Sequence, residues 1–291
     1  DGSVHRLKAR ITDEAVIEYG NFYYDAKCLK MSADTYQPFA LGNSLGKLGY
    51  ECHAFHNHTY TYYNRDKSGT FVWKKYDVID ATFSDVLDTM VEKYPDQYAF
   101  KYTTLDYTRT YQEFKRDVDR FARALVSMGV KAGSKVAVWA TNVPDWLTFL
   151  YACAKIGAVA VTVNTNYKQS ELEYLCKDSD MHTLCIVNGD RGSDDYVNMV
   201  YKMLPELRTC QRGYLKSENF PRMKNVIYIG QEKYRGMYNT AEILLLGSNV
   251  EGDELAEAKS KVTCHDVVNM QYTSGTTGFP KGVMLTHYNI A

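Results

Sequence analysis

The sequence predicts an α/β fold, a parallel or mixed sheet flanked by helices. Three observations predict it. Strand and helix patterns alternate from residue 98 onward, residues 158–163 (AVAVTV) form an almost unbroken apolar run, and helix-opening residues recur between the strands. A strand apolar on both faces belongs inside a sheet covered on both sides, which is how parallel strands are buried. Alternation at this spacing implies helices packed on both faces of that sheet.

Each element carries a local signal. Thr110 and Glu113 form a capping box, each side chain satisfying a backbone amide that the first helical turn leaves free. Phe114, Val118, Phe121, Leu125 and Met128 then recur at helical spacing, and Gly129 stands where a left-handed closing residue belongs. Residues 135–140 (KVAVWA) read as a strand. Asn142 is placed to cap a helix over 145–156, which Gly157 closes. After the apolar strand, Ser170 and Glu173 read as a second capping box for a helix through Lys177. A strand over 183–187, a helix around 196–204 opened by Asp194 and Asp195, and a strand over 225–229 continue the series. Residues 247–261 are polar and acidic, a solvated loop or short helix. Val267, Val268 and Met270 read as one buried strand, and Val283, Met284 and Leu285 as another. Trp139 and Trp146 read as core residues.

Residues 81–291 therefore read as one α/β domain. Residues 1–80 are different: tyrosine-rich, without a clear period, and expected to form an N-terminal extension. Tyr60, Tyr62 and Val72 are candidates for a hairpin turned by Lys67, Ser68 and Gly69.

Bulk properties exclude several classes. Lys and Arg number 34 against 35 Asp and Glu, so no global field recruits nucleic acid or an anionic membrane. No apolar run reaches bilayer length and no signal peptide is recognisable, so no transmembrane segment is expected. The seven cysteines are scattered and odd in number, without a C-x-x-C pair, which fits a reducing cytoplasm. The opening at Asp1 without methionine reads as a processed fragment.

The richest stretch is residues 272–287, YTSGTTGFPKGVMLTH. Glycines let a backbone approach an anion closely, and successive amides in a tight turn cradle phosphate oxygens. Thr273, Ser274, Gly275, Thr276, Thr277, Gly278 and Lys281 are the candidate phosphate-binding set: amide nest, hydroxyl donors and one mobile positive charge. The spacing is not that of a Walker A loop. Only two residues separate Gly275 from Gly278, Pro280 precedes Lys281, and residues 283–285 are strand-like rather than helical.

Three other groups carry chemistry-bearing side chains. Cys52, His53, His56 and His58 have zinc-binding donors but no distant second pair, and read as an aromatic-rich surface loop. His287 either reaches a nucleotide or belongs to a helix opening with Thr286, the second reading being favoured. Asn164, Thr165, Asn166 and Tyr167 end the most apolar strand, where ligands gather in open sheets, yet asparagine clusters are ordinary turn formers.

The 272–287 run resembles the phosphate-binding signature of the adenylate-forming superfamily: acyl-CoA synthetases, luciferases and the adenylation domains of peptide synthetases. TYQEF at 110–114 resembles that family's early helix start, and GSKVAVWATNVPDW at 133–146 its first core strand and following helix. KIGAVAVTVNTNYKQSELEYLCKDSD at 155–180 resembles its second motif in the form carried by fatty acyl-CoA synthetases. The resemblance covers the front part of such an enzyme. It implies ATP-dependent activation of a carboxylic acid, a fatty acid, through an acyl-adenylate to an acyl-CoA thioester, with ATP, Mg2+ and coenzyme A. An adenylation domain feeding a carrier protein and a truncated non-catalytic nucleotide-binding piece are the alternatives. The resemblance also implies a Thr273 hydroxyl near magnesium. The family's catalytic lysine lies beyond Ala291, so no catalytic residue is assigned and Lys281 is not that lysine. On this reading the chain alone is expected to be inactive and to self-associate as a homo-oligomer through an exposed strand edge.

Overall fold

The computed structural model describes residues 8–12, 15–18, 53–54, 72–73, 79–187, 195–273 and 280–290. The chain divides into two units, Asp1–Val78 and Ile79–Ala291. In the first, β1 (Lys8–Thr12) and β2 (Ala15–Glu18) pair antiparallel, and β3 (His53–Ala54) and β4 (Val72–Trp73) pair in parallel. Val72 thus lies beside His53. The rest of the expected hairpin (Tyr60, Tyr62 and the turn at 67–69) lies outside the described residues, as do Cys52, His56 and His58.

The second unit opens with α1 (Phe83–Lys93), the hairpin of β5 (Tyr98–Tyr102) and β6 (Tyr107–Thr110), and α2 (Tyr111–Ser127). Then come β7 (Lys135–Trp139), α3 (Pro144–Lys155), β8 (Val159–Thr162), α4 (Gln169–Asp178), β9 (Thr183–Ile186), α5 (Tyr196–Met203) and β10 (Asn225–Tyr228). It closes with β11 (Tyr238–Asn239), α6 (Thr240–Gly247), α7 (Gly252–Ser260), β12 (Val267–Thr273), β13 (Lys281–Thr286) and α8 (His287–Ile290). The main sheet runs β11-β10-β9-β7-β8-β12-β13. Its first six strands are parallel, and β13 alone is antiparallel, paired with β12. The expected mixed sheet is present.

Strand periodicity sorts the core into two layers. Ala137, Trp139, Val161, Leu184 and Ile186 face one cluster with Leu172, Leu175 and Val200, contributed by α4 and α5. Val136, Val138, Ala160, Cys185 and Ile227 face the other, with Phe121, Leu125, Phe149 and Ile243 from α2, α3 and α6. Successive side chains on a strand point to opposite faces, so a strand covered on both must be apolar at every position.

Local signals account for most helix ends. Glu113 N donates to Thr110 Oγ1 at 3.2 Å and Thr110 N to Glu113 Oε2 at 2.9 Å, completing the expected capping box. Gly129 and Gly157 adopt φ of +81° and +70° just past α2 and α3, where a side chain would be strained. Asp195 caps α5 by accepting from the Asn198 amide at 2.9 Å, while Asp194 lies outside the described residues.

Two expectations need correction. Asn142 does not cap α3: the cap position is Val143 and Pro144 opens the helix, its missing N–H being one the first turn leaves unused anyway. The box at α4 is not Ser170 with Glu173, because Glu171 accepts from the Lys168 amide at 2.8 Å and the cap lies two residues earlier, at Lys168, with the helix starting at Gln169. Residues 247–261 hold the short helix that is one of the two expectations: Gly247 ends α6 and the acidic stretch forms α7. Helix α6 itself escaped sequence reading, since TAEILLLG lacks an apolar period even though Asn239 and Glu242 box its start.

Candidate functional site

β12 carries the chain out of the sheet beside β8, and β13 brings it back antiparallel. The pairing register sets Thr273 opposite Lys281, Tyr272 opposite Gly282 and Gln271 opposite Val283. The hairpin mouth therefore presents one hydroxyl and one ammonium side by side, both exposed. Of the candidate phosphate-binding set, Thr273 and Lys281 are brought together; Ser274, Gly275, Thr276, Thr277 and Gly278 lie outside the described residues.

Helix α4 ties down both stems of this hairpin. Tyr272 donates its phenol to Asp178 Oδ2 at 2.7 Å, and Tyr174 donates to the Pro280 carbonyl at 3.1 Å. Burial, then the Asp178 carboxylate, raise the Tyr272 phenol far above its ordinary value, so it stays a donor. Tyr174 and Asp178 are four residues apart and share one face of α4. Gly282 packs closely on this hairpin: a Cβ there would sit 3.1 Å from Tyr272 Cζ and 3.2 Å from Met270 Sδ, so those side chains would have to give by a few tenths of an ångström. Tyr174 and Asp178 were not singled out in the sequence. Their i,i+4 spacing was the available signal, but it named no partner.

The neighbouring strand end is a structural turn. Trp139 Nε1 donates to the Asn164 carbonyl at 3.1 Å, Tyr196 to the Thr165 carbonyl at 2.6 Å, and the Asn166 amide to Asn164 Oδ1 at 3.0 Å. The Tyr167 amide closes on the Asn164 carbonyl at 3.0 Å. The Trp139 and Tyr196 rings stack at 3.8 Å beneath it. Trp139 is fully buried, as expected, and Trp146 packs half-buried on the second core layer.

His287 follows β13 directly but faces away from the hairpin mouth. It is 1% exposed, its Nδ1 accepts from the Phe83 amide at 3.1 Å, and its ring meets Phe83 edge-on at 5.2 Å. Burial lowers its proton affinity below the ordinary imidazole value. The helix-opening reading holds: Thr286 and Asn289 exchange cap hydrogen bonds at 2.9–3.2 Å.

The arrangement is a six-stranded parallel array with a hydroxyl- and glycine-rich hairpin at its flank. A family model described as AMP-binding enzyme matches residues 87–291, and the chain belongs to that family. Among curated relatives, YngI of Bacillus subtilis (strain 168), an acyl-CoA synthetase by name, is 44% identical over 214 residues, 74% of this chain and 39% of that protein. The human medium-chain acyl-CoA ligase ACSF2, mitochondrial, is 32% identical over 210 residues, 72% of this chain and 34% of its own length. The chain thus spans well under half the length of these relatives. The fold matches the luciferase-like enzyme of the nonluminescent mealworm Zophobas morio with a TM-score of 0.57 at 23% identity, over 74% of this chain and 45% of that one. It matches a long-chain-fatty-acid-CoA ligase (FadD1) from Archaeoglobus fulgidus with a TM-score of 0.55 at 24% identity, over 74% and 38%.

Among the described residues no helix is long and apolar enough to cross a membrane.

Proposed function

We propose that the full-length protein activates a carboxylic acid with ATP, forming an acyl-adenylate and pyrophosphate and then passing the acyl group to coenzyme A. The observation that carries this reading is the register of the β12–β13 hairpin, which sets the Thr273 hydroxyl and the Lys281 ammonium at one mouth. The relatives' names support a fatty acid as substrate.

Carboxylate and triphosphate repel each other, so the chemistry depends on holding the β- and γ-phosphates while the acid oxygen attacks the α-phosphorus. Lys281 places a charge on the departing pyrophosphate, and residues 273–278 supply amides and hydroxyls. Magnesium takes six oxygens and usually keeps phosphate and water among them. A single neutral hydroxyl at Thr273 fits as one ligand beside those, and magnesium supplies charge neutralisation when bound. Cys153, Cys176 and Cys185 are buried free thiols, which supports a reducing, cytoplasmic setting.

Lys281→Ala in the full-length protein tests the reading. Removing a preorganised charge contact is expected to slow acid-dependent pyrophosphate release by about ten- to a thousandfold, with the unfolding midpoint unchanged. Pyrophosphate release equal to wild type would overturn the assignment. Transfer to coenzyme A, assayed separately, distinguishes a thioester-forming ligase from one that loads a carrier protein.

A further inference from the structure

We propose that Asp80, Cys264 and His265 form a divalent metal site of the zinc class, separate from the β12–β13 hairpin mouth. The carboxylate, thiol and imidazole come from two segments 184 residues apart, and their ligand atoms all lie within 4.8 Å of one another. Cys264 Sγ already donates to Asp80 Oδ1 at 2.7 Å. A sulfur, nitrogen and oxygen donor set suits zinc, with cobalt(II) as its spectroscopic substitute, and disfavours calcium and magnesium, which take oxygen. Tetrahedral coordination at ordinary metal–ligand lengths puts neighbouring donors about 3.4–3.6 Å apart. Closing the site therefore needs only rotamer-scale movement of side chains that are exposed or half-buried.

The backbone beneath these ligands separates them from chance surface neighbours. Residues 263–266 form a closed turn, with the Asp266 amide on the Thr263 carbonyl at 3.1 Å and the Thr263 amide on Asp266 Oδ2 at 2.7 Å. The Tyr288 amide donates to the Cys264 carbonyl at 2.9 Å and the His287 amide to the Asp266 carbonyl at 3.3 Å. On the other segment, Asp80 stands two residues before Thr82, the cap of α1, and the next residue, Phe83, is bonded to His287 Nδ1. Helix α8 thus holds both ligand-bearing segments in place, so little ordering remains to be done when a metal arrives. Asp80 and His265 are exposed, so a solvent molecule can complete the ligand set. The Asp80 carboxylate beside it holds the Cys264 thiol above its ordinary value. Binding at neutral pH therefore breaks the S–H bond, forms a metal–sulfur bond and releases one proton to solvent.

Titration of the whole reduced chain with cobalt(II) tests the site. The expected result is a thiolate-to-cobalt charge-transfer band that saturates at one equivalent and is displaced by zinc. Cys264→Ser should abolish the band. Asp80→Asn and His265→Ala should each weaken binding by about tenfold or more, the loss typical when support of a metal centre is removed. Unfolding midpoints of the metal-free variants matching wild type show that the fold is retained, and Cys264→Ala serves where the serine variant is unstable. Absence of the band overturns the proposal. So does a band that survives Cys264→Ser, which would place the sulfur ligand at another of the seven cysteines, or affinity unaltered in His265→Ala.

Discussion

The Nδ1 atom of His287 accepts a hydrogen bond from the Phe83 amide at 3.1 Å, joining the end of the hairpin to the start of α1 across 204 residues. Phe83 is the first residue of its helix, so this amide is one that intrahelical bonding leaves unserved. Only a neutral imidazole with a bare Nδ1 can accept here.

That requirement makes stability depend on pH. Burial holds the folded-state value of His287 below the unfolded 6.5. Between the two values the unfolded state binds more protons, so stability is full above 6.5 and falls as pH drops toward the lower, folded value. His182, lowered by burial and by Lys224, adds a contribution of the same sign. Thermal unfolding followed from about pH 7.5 to about pH 5.5 should show a falling midpoint. His287→Asn keeps an acceptor but does not titrate, and should flatten the part of the slope that His287 causes.

Gly247→Ala should destabilise, although alanine is the better helix former. A Cβ at 247 would lie 2.6 Å from the Ala124 amide nitrogen and 2.9 Å from Ala124 Cα, where α6 crosses α2. The propensity gain is at most about 1 kcal/mol, while overpacking against backbone costs about 1–3 kcal/mol. Packing wins, and a urea midpoint lowered by a net loss of about 1–2 kcal/mol is expected.

Tyr174→Phe removes the hydrogen bond from α4 to the Pro280 carbonyl. One neutral hydrogen bond is worth about 1 kcal/mol, so the dissociation constant for ATP in the full-length protein should rise about two- to fivefold. The circular dichroism spectrum should not change. Unaltered ATP affinity would show that the hairpin holds its position without this tie.

Met284→Lys should reduce self-association of the isolated chain. β13 is an edge strand, and Val283 and Met284 on it are 42% and 60% exposed, with Tyr288 and Ile290 exposed nearby. An apolar edge invites pairing with another chain, and a lysine there blocks it. Light scattering of wild type and variant at equal concentration measures the difference.

Much of the architecture was legible because it is written locally. The Thr110–Glu113 box, the glycines at 129 and 157 and the apolar run ending in Val163 act through neighbours a few residues away. The misplaced cap at Asn142 has the same origin: two local signals competed, and the proline two residues later set the helix start. Helix α6 was missed because its leucines lack a period, and Leu245 is left 72% exposed.

The sequence by itself determined the alternation of strands and helices, the two-faced burial of the sheet and the two strands that flank the glycine-rich stretch at 273–281, since periodicity, capping and turn chemistry are short-range. Only the tertiary structure decided the strand order, the pairing of Thr273 with Lys281, the grip of Tyr174 and Asp178 on the hairpin, and the turn of His287 toward Phe83. The convergence of Asp80 with Cys264 and His265 belongs with them. Most of these relations join residues about a hundred or more positions apart. They form because the sheet and its covering helices bring distant segments together, and no local pattern encodes which segments will meet.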